Sequence, residues 1–327
     1  MITSKFEMIN GQRVLRPDLY RAARIRELRG EGQLAAQADE GIPRLFLPPG
    51  IGDIHWVVMK LRSFTVRHLG GQRPDVWLME AGDRNRAADY VDRVGLCRYR
   101  GTYNPPWGGH LHMEMLYHSG IAREQDGFNW VLCANPHLER DGDFATWMPD
   151  CEIDWDYGVE ERVGDAALSE QVVAQGPYVL ASFFDGALYG EHYLPHFNVD
   201  RIAAMLRRVG ERCRVLLTGA SWDVPFLQTI ANVSGASCEL VGKTSCAQLL
   251  SLLRRCSGYV GHPAGNGIMA VHFRRPTVLL WSSARHRPPL FDSWVRPEDR
   301  GVRYLSVDVA QGVSADTVAA FLMERMA

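Results

Sequence analysis

Asp53 is the side chain of this sequence best placed to take a proton. It ends the run Pro49-Gly50-Ile51-Gly52-Asp53, between a short apolar stretch, Arg44 to Pro48, and a segment in which Ile54, Val57, Val58 and Leu61 recur at helical spacing. A carboxylate between a strand's C-terminal end and a helix's first turn stands where open α/β sheets place their chemistry, and there it can serve as a general base toward a hydroxyl. The same position equally suits an aspartate that caps the helix. A second turn of this type lies far downstream, in the segment from Gly258 to Trp281. It reads as a buried strand, a glycine-rich turn, a short helix and a second buried strand. Gly265 and Gly267 let the backbone approach a ligand closely, and with Asn266 they open a helix whose unpaired N–H groups and dipole suit a phosphate. The expected chemistry is therefore an anion held at the downstream turn and a proton taken at the upstream one.

Other residues compete for attention. Gly50-Ile51-Gly52 invites a dinucleotide reading, but the third glycine of G-x-G-x-x-G falls on His55 and no ribose-binding acid follows at the expected place. Arg285, His286 and Arg287 follow the strand at 277 to 281, placed either to face a diphosphate or to form an exposed basic loop. Asp141-Gly142-Asp143 and Asp154-Trp155-Asp156 have D-x-D spacing, yet neither follows a convincing strand. His110, His112, Glu114 and His118 lack the fuller ligand set a metal centre requires, and read as an acceptor-facing or solvated loop. No metal site is expected. Nucleophile-elbow, Walker A, H-E-x-x-H and zinc-ribbon spacings are all missing from the sequence, which counts against the common hydrolases and nucleoside triphosphatases.

The elements that must position these residues alternate. Strands are expected at 44 to 48 and 75 to 79, with helices at 54 to 68 and about 84 to 94; residues 100 to 160, with Trp107, Trp130, Trp147 and Trp155, read as long loops. After Gly176-Pro177 come strands at 178 to 184, 214 to 218, 238 to 241, 258 to 261 and 277 to 281. Helices at 200 to 209, 223 to 233 and 245 to 255 intervene, the last capped by Thr244 or Ser245. Two α/β domains follow, expected as doubly wound Rossmann-like units facing each other across a cleft. Residues 1 to 41 form an N-terminal extension with a charged helix opening at Pro17-Asp18. The first domain spans 42 to 170 and the second 171 to 313, while an amphipathic helix at 314 to 326 is free to pack on either, with the first assigned as its host.

Composition narrows the class. At 327 residues the chain is long enough for two cores, and a formal charge of -2 gives no global attraction to nucleic acid or anionic membrane. Of 36 basic side chains only Lys5, Lys60 and Lys243 are lysines, a bias that codon usage explains as well as phosphate recognition does. The seven cysteines form no C-x-x-C pair, and no apolar run reaches the ~18 residues needed to cross a bilayer. A cytoplasmic protein with free thiols is expected.

The order of these segments resembles glycosyltransferase family 9, the ADP-heptose:lipopolysaccharide heptosyltransferases and their relatives, over most of residues 44 to 281. Leu45-Phe46-Leu47-Pro48-Pro49-Gly50-Ile51-Gly52-Asp53 looks like that family's opening strand and G-x-G-D turn, and Tyr178 to Pro195 like the first strand and phosphate loop of its donor domain. The family's Lys-x-Trp-Pro reads His192-Tyr193-Leu194-Pro195 here. Arg214 to Asp223 resembles the G-x-x-x-E segment, with Asp223 at the nucleoside-contacting acid, and Gly242-Lys243-Thr244-Ser245 resembles the G-K-x-S-L segment beside the donor. At the downstream turn the family shows Asp-Ser/Thr-Gly-x-x-His; Pro263, Ala264, Gly265 and Ile268 occupy those places, so the acid and the histidine are missing.

The resemblance implies a GT-B architecture and an inverting, metal-independent transfer of a sugar from a nucleotide-diphosphate sugar to an acceptor hydroxyl, with Asp53 as catalytic base and no cofactor. Together with the turns and loops read above, it gives an expected donor side of Ser182, His192, Asp223, Lys243, Thr244, Ser245, Gly265, Gly267 and Arg285, with His262 and Asn266 as stand-ins for the missing polar groups. Gly50, Gly52, His55, Trp107, His110 and His112 then fall on the acceptor side. The acceptor is expected to be a saccharide or glycoconjugate; a modified DNA base, a sugar-nucleotide epimerase and a catalytically silent nucleotide-sugar-binding protein are the alternatives.

Overall fold

The computed structural model describes residues 6–9, 12–15, 41–80, 87–103, 121–125, 127–135, 137–138, 142–183, 199–283, 292–311 and 314–326. They divide between two compact units, Ile2–Glu160 and Glu161–Ala327. The division falls ten residues before the one expected at 170/171. Helix α3 (Ala167–Val173) belongs to the second unit, where Ser169 Oγ and Ser251 Oγ are 2.7 Å apart.

In the first unit a hairpin, β1 (Phe6–Ile9) and β2 (Gln12–Leu15), stands in the segment read as an N-terminal extension. The helix expected from Pro17 lies outside the described residues. The main sheet runs β5 (Arg98–Tyr103), β4 (Asp75–Met79), β3 (Arg44–Leu47), β7 (Phe128–Leu132), β6 (Ile121–Gln125). All neighbours are parallel except the β6–β7 hairpin. Helix α1 (Ile51–His68) follows β3, and α2 (Ala87–Val94) follows β4. Strands β5 to β7 correct the expectation of loops through this region. The short run Phe128-Asn129-Trp130 alternates buried and exposed, then Val131 and Leu132 are buried beside β3. Aromatic rings pack one face: Phe46 stacks on Phe128 at 5.0 Å, and Tyr103 and Trp77 meet Phe128 edge-on at 5.2 and 5.7 Å.

The second unit has a fully parallel sheet, β12 (Tyr304–Asp308), β11 (Thr277–Trp281), β10 (Gly258–Gly261), β8 (Tyr178–Ser182), β9 (Arg214–Leu217). Every residue of β8, β10 and β11 is buried, as strands covered by helices on both faces must be. The strand expected at 238 to 241 is reduced to one parallel bridge between Ser237 and Leu216, after which Gly242, at φ 72°, turns the chain back and donates to the Gly219 carbonyl at 3.0 Å. Counting that bridge as the third strand, the order is the Rossmann 3-2-1-4-5-6, and the direction of winding reverses between β8 and β10. Helices α4 (Val199–Gly210), α5 (Val224–Ser234), α6 (Cys246–Arg255) and α7 (Gly265–His272) connect the strands. The last helix, α8 (Ala315–Met323), packs against α4 and places Val318, Ala319 and Leu322 in the second core. Of the two hosts that the sequence left open, it packs in the second unit, because its apolar stripe meets α4.

Candidate functional sites in the two units

In the first unit the chain leaves β3 through Pro48 and Pro49 and enters α1 with Gly50 as its N-cap. Glycine has no side chain to cap with, and Asp53 stands at the third helical residue. Its carboxylate folds back over Gly50: a Cβ built there would lie 2.6 Å from Asp53 Oδ2. Gly50 is required by this close approach, its φ of -85° being open to any residue. Asp53 is half-buried, in the favourable first turn of an 18-residue helix.

His55, expected on the acceptor side, is turned the other way. Its ring is 2 % exposed and its Nδ1 lies 2.5 Å from the Tyr157 hydroxyl, which in turn bonds to the Tyr90 hydroxyl. This buried chain ties α1 to α2 and to the segment before the unit's end. Residues 54 to 61 of α1 are all buried, so His55 has no solvent face to present. The D-x-D pairs also have structural work. Asp143 Oδ1 accepts from the Ala145 amide at 2.9 Å, while Asp154 pairs with Arg62 at 2.6 Å and accepts from the Asp156 amide at 3.2 Å. Trp107, His110 and His112 lie outside the described residues, as do Glu114, His118 and Asp141.

In the second unit the expected donor residues gather at the carboxyl ends of β8, β9 and β10. Ser182 ends β8 and is buried; its carbonyl accepts from the His262 amide at 3.1 Å, and its hydroxyl accepts from Asn266 Nδ2 at 3.2 Å. These two bonds fasten the first turn of α7 to the switch point between β8 and β10. Ala264 precedes α7 and makes no side-chain cap, leaving the first-turn amides of Gly265, Asn266 and Gly267 without an acceptor inside the helix. His262 meets the edge of Phe183 at 5.5 Å, and burial pushes its imidazole down to about 3, so it is neutral across the physiological range.

The glycines around the turn have other reasons than the one read from the sequence. A Cβ on Gly267 would stand 2.5 Å from Leu279 Cδ2 and 3.0 Å from Tyr259 Cε1, and one on Gly261 would stand 2.2 Å from the Ser182 carbonyl oxygen. Gly267 therefore has a packing reason of its own, the fit of helix on sheet.

Loops after β9 and before α6 are held together by the Gly242 to Gly219 bond. Asp223, expected to face a nucleoside, is 3 % exposed and its Oδ2 accepts from the Ala220 amide at 2.8 Å, clamping a 3-10 turn. Ser245 is engaged in a capping box: its hydroxyl accepts from the Gln248 amide at 3.1 Å while Gln248 Oε1 accepts from the Ser245 amide at 2.9 Å. Both have structural roles in building the loop. Lys243 is exposed and Thr244 is buried beside it. His192 and Arg285 lie outside the described residues.

Sequence reasoning missed the Asn266 to Ser182 bond, since nothing in the spacing of residues 84 apart reveals it. It also missed Lys60, buried with its ammonium donating to the carbonyls of Ala145, Trp147 and Met148.

No family model and no curated protein matches the chain. Among solved structures, E. coli ADP-heptose lipopolysaccharide heptosyltransferase II matches at a TM-score of 0.56 and 15 % identity, covering 88 % of this chain and 100 % of that one. A family 9 glycosyl transferase from Veillonella parvula DSM 2008 matches at 0.57 and 11 % identity, covering 89 % and 99 %. The chain has the GT-B fold. The resemblance drawn from the glycine turns is thus matched by the architecture of both units. At these identities the likeness speaks to fold, and the chemistry rests on the residues above.

Proposed function

We propose that this chain is a glycosyltransferase that moves a sugar from a nucleotide-diphosphate sugar to an acceptor hydroxyl, with inversion at the anomeric carbon and without a catalytic metal. The observation that carries the proposal is the α7 N-terminus, free of a side-chain cap and fastened by Asn266 to Ser182 at the switch point of a Rossmann-ordered sheet. A diphosphate held there meets fixed N–H dipoles where negative charge develops as the sugar departs. In the first unit Asp53 would take the acceptor's proton as its oxygen attacks the anomeric carbon. The acceptor is assigned to the first unit and the donor to the second.

The missing acid and histidine of the downstream turn do not remove its amides, which hold a phosphate without a particular side chain. A saccharide or glycoconjugate is the proposed acceptor, in keeping with the sugar-transferring neighbours; no observation favours a DNA base. None of the seven cysteines is joined in a disulfide, in keeping with a reducing, cytoplasmic setting. No described helix is long and apolar enough to cross a membrane.

The test is a screen of ADP-, GDP-, UDP- and CMP-linked sugars for thermal stabilisation, followed by turnover with the best donor for wild type and Asp53→Asn. The variant should bind donor as wild type does and turn over ~100-fold or more slowly. Wild-type turnover in Asp53→Asn would remove Asp53 from the mechanism, and donor binding without transfer by the wild-type chain would mark a silent binding protein.

A further inference from the structure

The same helix that carries Asp53 at its start carries His68 in its last turn, about 22 Å away along the axis. There His68 meets two consecutive residues from a distant loop. His68 Nε2 lies 2.8 Å from Asp150 Oδ2, and the ligand atoms of His68, Asp150 and Cys151 all lie within 4.8 Å of one another. One imidazole, one carboxylate and one thiol converge on a point at the protein surface: Cys151 is buried, His68 half-buried, Asp150 exposed.

We propose that His68, Asp150 and Cys151 form a three-ligand site for a divalent transition-metal ion, with Zn2+ the best fit and a fourth position left to water. The donor set is the reason. Thiolate with imidazole selects a borderline-soft ion over Mg2+ or Ca2+, which take oxygen ligands, and a carboxylate completes a set common to zinc. With metal–ligand distances of about 2.0–2.3 Å, tetrahedral ligand atoms stand about 3.3–3.8 Å apart. The His68–Asp150 pair reaches that spacing by opening about half an ångström, and the Cys151 thiol, within 4.8 Å of both, reaches it by closing in by at most about 1–1.5 Å; Asp150 is exposed and has solvent to move in.

The surroundings orient the ligands. The His68 ring is packed against Phe64 at 4.8 Å and Trp130 at 5.5 Å, which limits its rotation. The Cys151 amide donates to the Met148 carbonyl at 2.9 Å, and the next amide, of Glu152, donates to Ser63 Oγ at 3.0 Å, so the loop is pinned on both sides of the thiol. The C-terminal end of an 18-residue helix carries the negative pole of its dipole, which favours a cation. Two anionic ligands neutralise a dication, which suits a site with Lys60 and Arg67 nearby. The ion would clip the end of α1 to the loop at 150 to 151 and take no part in sugar transfer.

The test is a titration of the chelator-treated full-length chain with Co2+, read by its visible and near-ultraviolet absorption, then displacement by Zn2+. One equivalent should bind with a thiolate-to-cobalt charge-transfer band and tetrahedral ligand-field bands, both removed by Zn2+. Cys151→Ser should abolish the charge-transfer band, and His68→Gln should weaken binding by at least the ~10–100-fold that outer-shell changes alone cause. His68 is a half-buried residue at a helix end, so the fold of that variant, checked by circular dichroism, should be unchanged. A wild-type chain without the band overturns the proposal, and so does a band that survives Cys151→Ser or keeps full affinity in a folded His68→Gln.

Discussion

The Asp53 carboxylate occupies the space that any side chain at Gly50 would need, with Oδ2 2.6 Å from the position of a Cβ there. Gly50 lies at φ -85° and ψ 138°, where alanine is at ease, so Gly50→Ala brings no backbone strain. The atom in the way is the far end of a side chain, so the overlap falls on the carboxylate and not on the backbone. Gly50→Ala should therefore change stability by no more than about 1 kcal/mol, because the gain of about 0.4–1 kcal/mol through the unfolded chain is offset by alanine's poorer fit at a helix N-cap, while the carboxylate is turned from its place. Turnover should fall ~10-fold or more with donor affinity unchanged. A melting curve together with kcat and KM for both substrates checks this; unchanged kcat would show that the position of Asp53 is immaterial.

Asn266 offers a way to separate helix stability from anion binding. Its amide reaches Ser182 from the first turn of α7, and a carboxylate there would gain from the helix dipole, by about 0.3–1 kcal/mol, even as it loses its donated bond. A bound diphosphate would meet that same charge as repulsion. Asn266→Asp should leave the melting point near wild type and lower donor affinity by ~10-fold or more. Calorimetry with the best nucleotide sugar reads the outcome, and undiminished affinity would place the phosphates elsewhere.

What the sequence disclosed, and what it withheld, follows from the kind of signal each feature leaves. Strands β3, β8, β10 and β11 are runs of apolar residues between glycines or prolines, legible because both sheet faces are covered. Strand β6 reads Ile-Ala-Arg-Glu-Gln, an edge strand whose polar residues look like loop. Cys238 to Val241 has the composition of a strand, yet one bridge at Ser237 is all that pairs, because the Gly242 turn and its bond to Gly219 end the run. The place of Asp53, in the first turn of the helix after β3, was legible from its turn. His55 was not, since α1 is buried on every side from 54 to 61 and periodicity assigns no face. Asp223 and Ser245, read from the sequence as ligand contacts, also cap turns, a role that the same residue types fill and that only the hydrogen-bond partner reveals.

Lys60 illustrates a buried charge held by backbone. Its ammonium lies 3.0 Å from the Met148 carbonyl and 3.3 Å from that of Ala145, also reaches Trp147, and sits 5.1 Å from the Phe144 ring centroid. Met148 adopts φ 48°, a left-handed conformation that the segment keeps only while something holds it. Lys60→Met fills the space and strands the carbonyls of buried Trp147 and Met148, at a cost of about 2–4 kcal/mol. Burial lowers the Lys60 ammonium to about 8. A base whose folded value is depressed holds fewer protons than the unfolded chain above that value, so its charge penalty is present in full below pH 8 and is relieved as pH rises toward the ordinary lysine range. Urea unfolding at about pH 7 and about pH 9.5 should therefore show the deficit of Lys60→Met growing with pH; a deficit that shrinks would mean that the ammonium is not strained.

Glu161 and Arg255 act in the opposite pH range. The two side chains form a paired contact, Arg255 Nη1 to Oε1 at 2.5 Å and Nη2 to Oε2 at 2.7 Å, joining the start of the second unit to the end of α6. The hydrogen bonds from Arg255 hold the Glu161 carboxyl at about 2, well below the ordinary glutamate value. Both groups are partly solvated, with 21 % and 27 % of their side chains exposed, so the pair is worth on the order of 2 kcal/mol once screening is allowed for. An acid with a depressed folded value contributes fully above its unfolded value and loses that contribution as pH falls through the folded one. The wild-type advantage over Glu161→Gln should hold from about pH 7 to about 5, then fade toward about pH 2. Paired urea curves across that interval measure it. An advantage that stays constant down to the lowest pH would show that the neutral amide of Glu161→Gln loses shape complementarity with Arg255 and no electrostatic energy.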